Sequence, residues 1–442
     1  MRRSRELVGF IALTLAVTGV GLAGTVDVAA AGVESCRGQS ATIVGTPGSD
    51  IGGTDGPDVV VTNGAATTYT GAGDDLVCVT GGSSRADTDV VAGEGDDVVD
   101  TLASEARIAR VILGGGDDTF TGGPRPDSVW ASDAWDSPPG QGADTVSTGG
   151  GDDVVLTGGS LGRPDHDTVD LGPGRDDAWL QGAVDPELPI RGGAGSDQLE
   201  LDRSTLRHAL VIDNAAGRAT DAGVPVMAWS GMERFRLSPI GSWAAPSFIG
   251  GAGSERIWTA IPFTSMDLGG GDDLVNLELQ RRLVDHASYI GGAGDDNFIL
   301  YAGAGDQARR AELDLPNGRL LFRRDQQAVH ARIHGFELHR LSARRLDVHG
   351  TAATDHVQWS GCRGVIGAGA GDDLIEAISV DDAGCGYLGE DAELVVRGGR
   401  GDDRLVGNYM PDVLIGGPGE DQADGRSNRD RCVAETTIRC EP

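Results

Sequence analysis

The residues of this 442-residue chain best equipped for chemistry are aspartates set in a fixed glycine frame. The pattern Gly-x-Gly-x-Asp-x-apolar recurs ten times with a large apolar residue in the last place. The copies are Gly71–Val77, Gly93–Val99, Gly114–Phe120, Gly140–Val146, Gly149–Val155, Gly193–Leu199, Gly269–Val275, Gly292–Phe298, Gly369–Ile375 and Gly399–Leu405. Two more, Gly172–Ala178 and Gly417–Ala423, end in alanine. The aspartates so placed are Asp75, Asp97, Asp118, Asp144, Asp153, Asp176, Asp197, Asp273, Asp296, Asp373, Asp403 and Asp421. Asp412 joins them in the stretch Gly398–Asp430, where Asp403, Asp412, Asp421 and Asp430 follow at intervals of nine. Glycine permits the positive φ angles and close backbone approach of a tight turn, a geometry that points carbonyls into the turn. Aspartate adds a hard anionic oxygen, and Ca²⁺ takes six to eight oxygen ligands. These thirteen aspartates are the expected metal ligands, and Ca²⁺ the expected cofactor.

The copies resemble the hemolysin-type (repeats-in-toxin) calcium-binding nonapeptide, whose consensus is GGxGxDxUx. Gly192–Glu200 fits it at every fixed place, as do Gly291–Ile299 and Gly398–Val406. The resemblance covers most of residues 45–430. It implies coils of two turn-strand units, with an ion between the turns of neighbouring coils held by both aspartates and by turn carbonyls. The expected fold is all-β, a parallel β-roll or β-helix solenoid with calcium-binding turns.

Such a fold must position the aspartates through short strands. The x-apolar-x triplet after each aspartate is a minimal strand whose middle side chain faces inward. Steps from Asp58 to Asp75, Asp97 and Asp118 are 17, 22 and 21 residues, and Glu255–Asp273 and Asp355–Asp373 are 18. One row of turns therefore keeps its ligands while insertions at the opposite turn become surface loops. Gly251–Ile257, with Glu255 in the aspartate place, is a weaker copy. Two interludes interrupt the repeats and resemble each other: Gly231–Ser238 (GMERFRLS) matches Gly335–Ser342 (GFELHRLS). Both alternate apolar and polar residues, as half-buried strands do, and are expected to be wider coils without calcium ligands.

The expected organisation is a signal peptide at 1–31, an N-terminal cap and first repeat block at 32–207, and repeat-poor coils at 208–249. A second block follows at 250–310, arginine-rich repeat-poor coils at 311–350, a third block at 351–430 and a disulfide cap at 431–442. The signal peptide rests on Arg2, Arg3 and Arg5, the mostly apolar run Val8–Leu22, and Ala29-Ala30-Ala31 as a small-residue cleavage site before Gly32. The apolar run is short for a membrane span, so the mature chain is expected to be secreted and extracellular with no span.

Seventy-one glycines and only 5% aromatics argue against a conventional packed core and for a repeat array. All 36 basic residues are arginine, and the net charge of −32 repels nucleic acid and attracts cations. Six cysteines in an exported chain read as disulfides. The favoured pairs are Cys36–Cys78 as an N-terminal cap, Cys362–Cys385 on adjacent coils, and Cys432–Cys440 closing the last coil. Cys36–Cys78 requires its first cysteine on a segment folded over the first coil.

No GxSxG, HExxH or lysine-bearing phosphate loop is present. His330, His334 and His339 lie in strand-patterned sequence and read as surface or cross-strand histidines. Carboxylate pairs such as Asp402-Asp403 recur with the repeats, which ion coordination explains and a single active site does not. Arg309, Arg310, Arg319, Arg323, Arg324, Arg332, Arg340, Arg344 and Arg345 cluster in the second interlude. They form either a patch for an anionic cell-surface or matrix polymer or a solvated strand face paired with nearby acids. The expected function is an extracellular calcium-binding structural or interaction protein rather than an enzyme. The alternatives are a secreted carbohydrate-active β-helix enzyme and a surface adhesin.

Overall fold

A computed structural model describes residues 34–131, 142–158, 165–201, 209–238, 244–278, 284–301, 309–324, 327–378 and 394–441. The expected signal peptide and Cys385 lie outside these residues. Strands alternate between two sheets along the chain, and each coil contributes one strand to each. Sheet 1 runs through 18 strands, from Asp50–Gly52 to Thr436–Ile438, all paired in parallel. Sheet 2 runs from Ile43–Val44 to Arg431–Val433. The fold is thus an all-β parallel solenoid, with no helix among the described residues.

The apolar place of each repeat becomes a column in the core. In sheet 1, Val129, Val155, Ala178, Leu199, Phe235, Ile257, Val275 and Phe298 pair in unbroken register on successive strands. All are essentially inaccessible to water. In sheet 2, Val60, Val77, Val99, Phe120, Val146 and Val169 do the same. The alanine-ending copies keep this register, since Ala178 and Ala423 occupy the same column. Parallel pairing stacks identical places because a one-residue slip would turn every apolar side chain outward.

The interludes are not the wider coils expected. Each folds into a three-stranded antiparallel meander inserted in sheet 2. Val211–Asp213, Arg218–Asp221 and Val224–Ser230 form the first; its last strand pairs with Ile190–Arg191 and its first with Ser247–Ile249. Arg309–Asp314, Arg319–Arg324 and Gln327–His334 form the second, between Ala287–Ile290 and Arg345–His349. Sheet 2 consequently holds 22 strands against the 18 of sheet 1. Two extra strands at about 4.8 Å each open a wedge between the sheets, and large side chains fill it. Trp229, Phe235, Phe248 and Phe263 make an edge-to-face chain with centroids 5.9, 5.1 and 6.2 Å apart. Tyr289, Phe298 and Phe336 follow at 5.6 and 5.3 Å. His339 continues the sheet 1 column between Phe298 and Val357, which corrects its assignment to a surface or cross-strand position. Burial lowers its pKa to about 4.

Both terminal disulfides form. Cys432–Cys440 joins Cα atoms 5.8 Å apart beside the last coil, where Arg439 also pairs with Asp424. Cys36–Cys78 joins Cα atoms 5.5 Å apart. Its cap differs from a plug over the first coil: the hairpin Ser35–Cys36/Gln39–Ser40 lies against the outer face of sheet 2. There Cys36 is buried with Val61 and Leu76, and Arg37 reaches Asp100 at 2.9 Å and Thr121 at 2.8 Å.

The wedge aromatics should dominate local stability. Phe235→Ala is predicted to cost about 3–5 kcal/mol, whereas Tyr69→Ala, at a 55% exposed position, costs little. Urea unfolding of both variants in one buffer checks this; similar losses would contradict the wedge assignment.

Candidate metal centre

Each coil has two turns, so the solenoid has two edges. Turns from sheet 1 to sheet 2 define the first edge, and turns from sheet 2 to sheet 1 the second. The first edge carries Asp58, Asp75, Asp97, Asp118, Asp144 and Asp167 as one row. The backbone N–H of each donates to a carboxylate oxygen of the next, at 2.7, 2.8, 2.7, 2.9 and 2.9 Å in turn. The carbonyl of each of the first five accepts the N–H that follows the next aspartate, as in Leu76 N–H to the Asp58 carbonyl at 2.9 Å.

The row does not stay on one edge, as the sequence spacing implied. A second row starts on the second edge at Asp127, before the first ends at Asp167, and occupies that edge in three runs. The first is Asp127, Asp153, Asp176, Asp197 and Glu233, with contacts of 2.8, 2.8, 3.0 and 2.9 Å. Glu255, Asp273, Asp296 and Glu337 form the second, at 2.6, 2.9 and 2.7 Å. Asp355, Asp373, Asp403, Asp421 and Glu435 form the third, at 2.7, 2.9, 2.9 and 2.9 Å. The nine-residue interval of the tandem stretch alternates edges, so Asp412 contacts Asp430 at 2.9 Å on the first edge. All thirteen aspartates expected as ligands stand in these rows.

The interludes also carry row members, contrary to expectation. Glu233 and Glu337 each follow a turn only two residues past its glycine, Gly231-Met232-Glu233 and Gly335-Phe336-Glu337. Their longer side chains still reach the N–H of Asp197 and Asp296. The match of GMERFRLS to GFELHRLS set these glutamates in register, but outside the glycine frame nothing marked them as row members. Glu255 instead turns back to its own turn, accepting from Gly251 N–H at 2.8 Å and from Asn214 at 2.9 Å. Asp58 and Asp412 likewise accept from Thr54 and Asn408 N–H, four residues earlier. Runs therefore begin on an acid hooked to its own turn, and the second-edge runs end on a glutamate.

The first aspartate of each Asp-Asp pair, absent from the expected set, forms an exposed second ladder of opposite direction. Asp96 N–H donates to Asp74, Asp117 N–H to Asp96, Asp295 N–H to Asp272 and Asp402 N–H to Asp372, at 2.9–3.0 Å. A pair thus ties its coil to both neighbours. Gly93 and Gly95, at φ of 119° and 125°, show why glycine is needed beneath it. A Cβ on Gly93 would strike the Gly71 carbonyl of the preceding coil.

Each inner carboxylate spends one oxygen on the neighbouring N–H. The other oxygen is buried and has no hydrogen-bond partner in Asp75, Asp97, Asp153, Asp176, Asp197, Asp273, Asp296, Asp373, Asp403, Asp421 and Asp430. Burial, reinforced by neighbouring carboxylates, raises the pKa of Asp97 to about 7, Asp176 to about 7 and Asp273 to about 8. Asp144 rises to about 9 and Asp412 to about 8 for the same reasons. Unpartnered, hard, anionic oxygens in rows fit the donor set of Ca²⁺. Among the described residues no three acids, histidines or cysteines converge, so an ion here would draw carboxylates in pairs and complete its shell from backbone carbonyls. His330 pairs instead with Asp285, and its ring stacks on His286.

No protein-family model matches the chain, and no curated protein matches it.

The raised pKa values fix the sign of a pH effect. Metal-free, the folded chain holds protons that the unfolded chain, with aspartates near 3.8, releases. That stabilisation is complete below about pH 4 and is lost as pH rises through about 6–9. In excess chelator, circular dichroism should therefore find more β-structure at pH 5 than at pH 8. Equal or greater β-content at pH 8 would contradict the burial of these carboxyls.

Proposed function

We propose that the carboxylate rows hold Ca²⁺ between successive coils, and that the protein is a calcium-dependent extracellular structural or interaction protein. The buried, unpartnered second oxygen that recurs along both edges carries this reading. An ionised carboxylate in such a place is strongly disfavoured unless a cation or a proton compensates it. The Gly-Asp turns resemble those of the hemolysin-type repeat family, which supports calcium over other hard cations. Bound, Ca²⁺ supplies the positive charge that the stacked carboxylates need; Asp75, Asp97, Asp153, Asp176, Asp273, Asp373, Asp403 and Asp421 would be among its holders. The two disulfides suit an oxidising, extracellular location. Repetition of one carboxylate arrangement along the edges favours a scaffold over an enzyme, because catalysis needs one distinct constellation.

Calcium titration followed by circular dichroism tests the proposal, with a gain of β-structure expected at about 10⁻⁴–10⁻³ M. Asp403→Asn keeps an acceptor oxygen for the Asp373 N–H but removes the charge. It should weaken calcium binding while preserving or raising metal-free β-content, whereas Asp403→Ala should lower both. Glu255→Ala should weaken binding less than either, because Glu255 heads its run and its carboxylate holds its own turn rather than a preceding coil. Equal β-content in chelator and in millimolar calcium would sink the proposal.

A further inference from the structure

The second meander brings together arginines that sequence separates. Leu320 and Phe322 point into the core, so Arg319 and Arg323 project from the outer face of sheet 2. Register then places Arg323 opposite Arg310, Arg310 opposite Arg345, and Arg345 opposite Arg363. Four arginines thus stand in one line across four neighbouring strands, at about 4.8 Å per step. Arg319 lies opposite Arg332 on the same face.

Like charges facing one another across strands repel, and compensation is incomplete. Asp347 takes both Arg310, at 2.8 Å, and Arg345, at 3.1 Å, and Glu312 takes Arg310 at 3.0 Å. Arg319, Arg323 and Arg332 are exposed and make no ion pair among the described residues. Asp314, opposite Arg319, is hydrogen-bonded to Asn317 instead. A chain of net charge −32 therefore carries one face on which arginines outnumber the acids that pair with them, with Arg319, Arg323 and Arg332 the least compensated.

We propose that this face binds a linear acidic polysaccharide laid along the solenoid axis, across the strands. The line of charges runs perpendicular to the strands, so an extended polyanion meets one guanidinium per strand step, and guanidinium pairs well with sulfate and carboxylate. Nucleic acid fits less well. Phe322 and Tyr289 are buried inward and offer no ring for base stacking, and the His330 ring on this face already stacks on His286. The proposal is independent of calcium at the turns.

Heparin serves as the probe, by isothermal titration in low-salt buffer containing calcium. The triple variant R319A/R323A/R332A should lose affinity by about tenfold or more, and added salt should abolish parental binding. R107A/R110A, whose arginines pair with Asp87, should bind as the parent does. The triple lysine variant should retain most of the affinity, which keeps the test decisive if the alanine variant misfolds. An unchanged calcium response of the triple variant, by circular dichroism, separates this face from the edges. No heparin binding by the parent, parental affinity in the triple alanine variant, or tighter binding of single-stranded DNA than of heparin would each overturn the proposal.

Discussion

A carboxylate whose one oxygen accepts a neighbour's N–H and whose other oxygen is buried without a partner sets the terms for the rest of this molecule. The first oxygen locks successive coils in register, because Asp97 can reach the N–H of Asp75 only if the two turns stack directly. The second oxygen leaves a debt of solvation, since a buried unpaired acceptor costs about 1–3 kcal/mol and a buried unpaired charge far more. Direct stacking in turn demands glycine, as at Gly93, where a side chain would occupy the space of the preceding coil's carbonyl. Core, turn and charge are therefore parts of one arrangement. The apolar columns supply cohesion between the sheets, and the rows fix spacing along the edges.

The rows are segmented, and the segmentation follows the sheets. Each meander adds two strands to sheet 2 but none to sheet 1. The second-edge row ends there on a glutamate, Glu233 or Glu337, and restarts on Glu255 or Asp355. Large aromatic side chains gather at the same levels and pack against one another. The second meander also orders the outer face of sheet 2, where its antiparallel strands set arginines opposite one another. One local change in topology thus interrupts the carboxylate edge, widens the core and builds a basic face.

The ends are secured by different means. At the C-terminal end of the described residues Cys432–Cys440 and the Arg439–Asp424 pair tie down the final coil. At the N-terminus Cys36–Cys78 pins a hairpin across the flank of several coils, with Arg37 reaching as far as Thr121. Open sheet ends invite pairing with other chains, and a repeat array is held at each level only by its neighbours.

What the sequence determined by itself was everything local. The Gly-x-Gly-x-Asp-x-apolar frame specified a turn, a carboxylate and one inward side chain, and its repetition specified parallel stacking, because only direct stacking buries every copy alike. All thirteen aspartates and the apolar columns were legible in this way, whereas the terminal disulfides were only favoured among fifteen possible pairings, and the structure chose them. Tertiary structure decided what depends on which strands become neighbours. Spacing alone does not reveal that rows form on both edges and overlap between Asp127 and Asp167, since either turn accepts the same motif. Glu233 and Glu337 were hidden because a longer side chain on a shorter turn reaches the same N–H without the glycine frame. Alternation identified strands in the interludes but not their antiparallel order, because an outward-inward pattern is the same in either direction. His339 entered the core, and Arg323, Arg310, Arg345 and Arg363 formed a line, only because pairing register, a non-local property, placed them there.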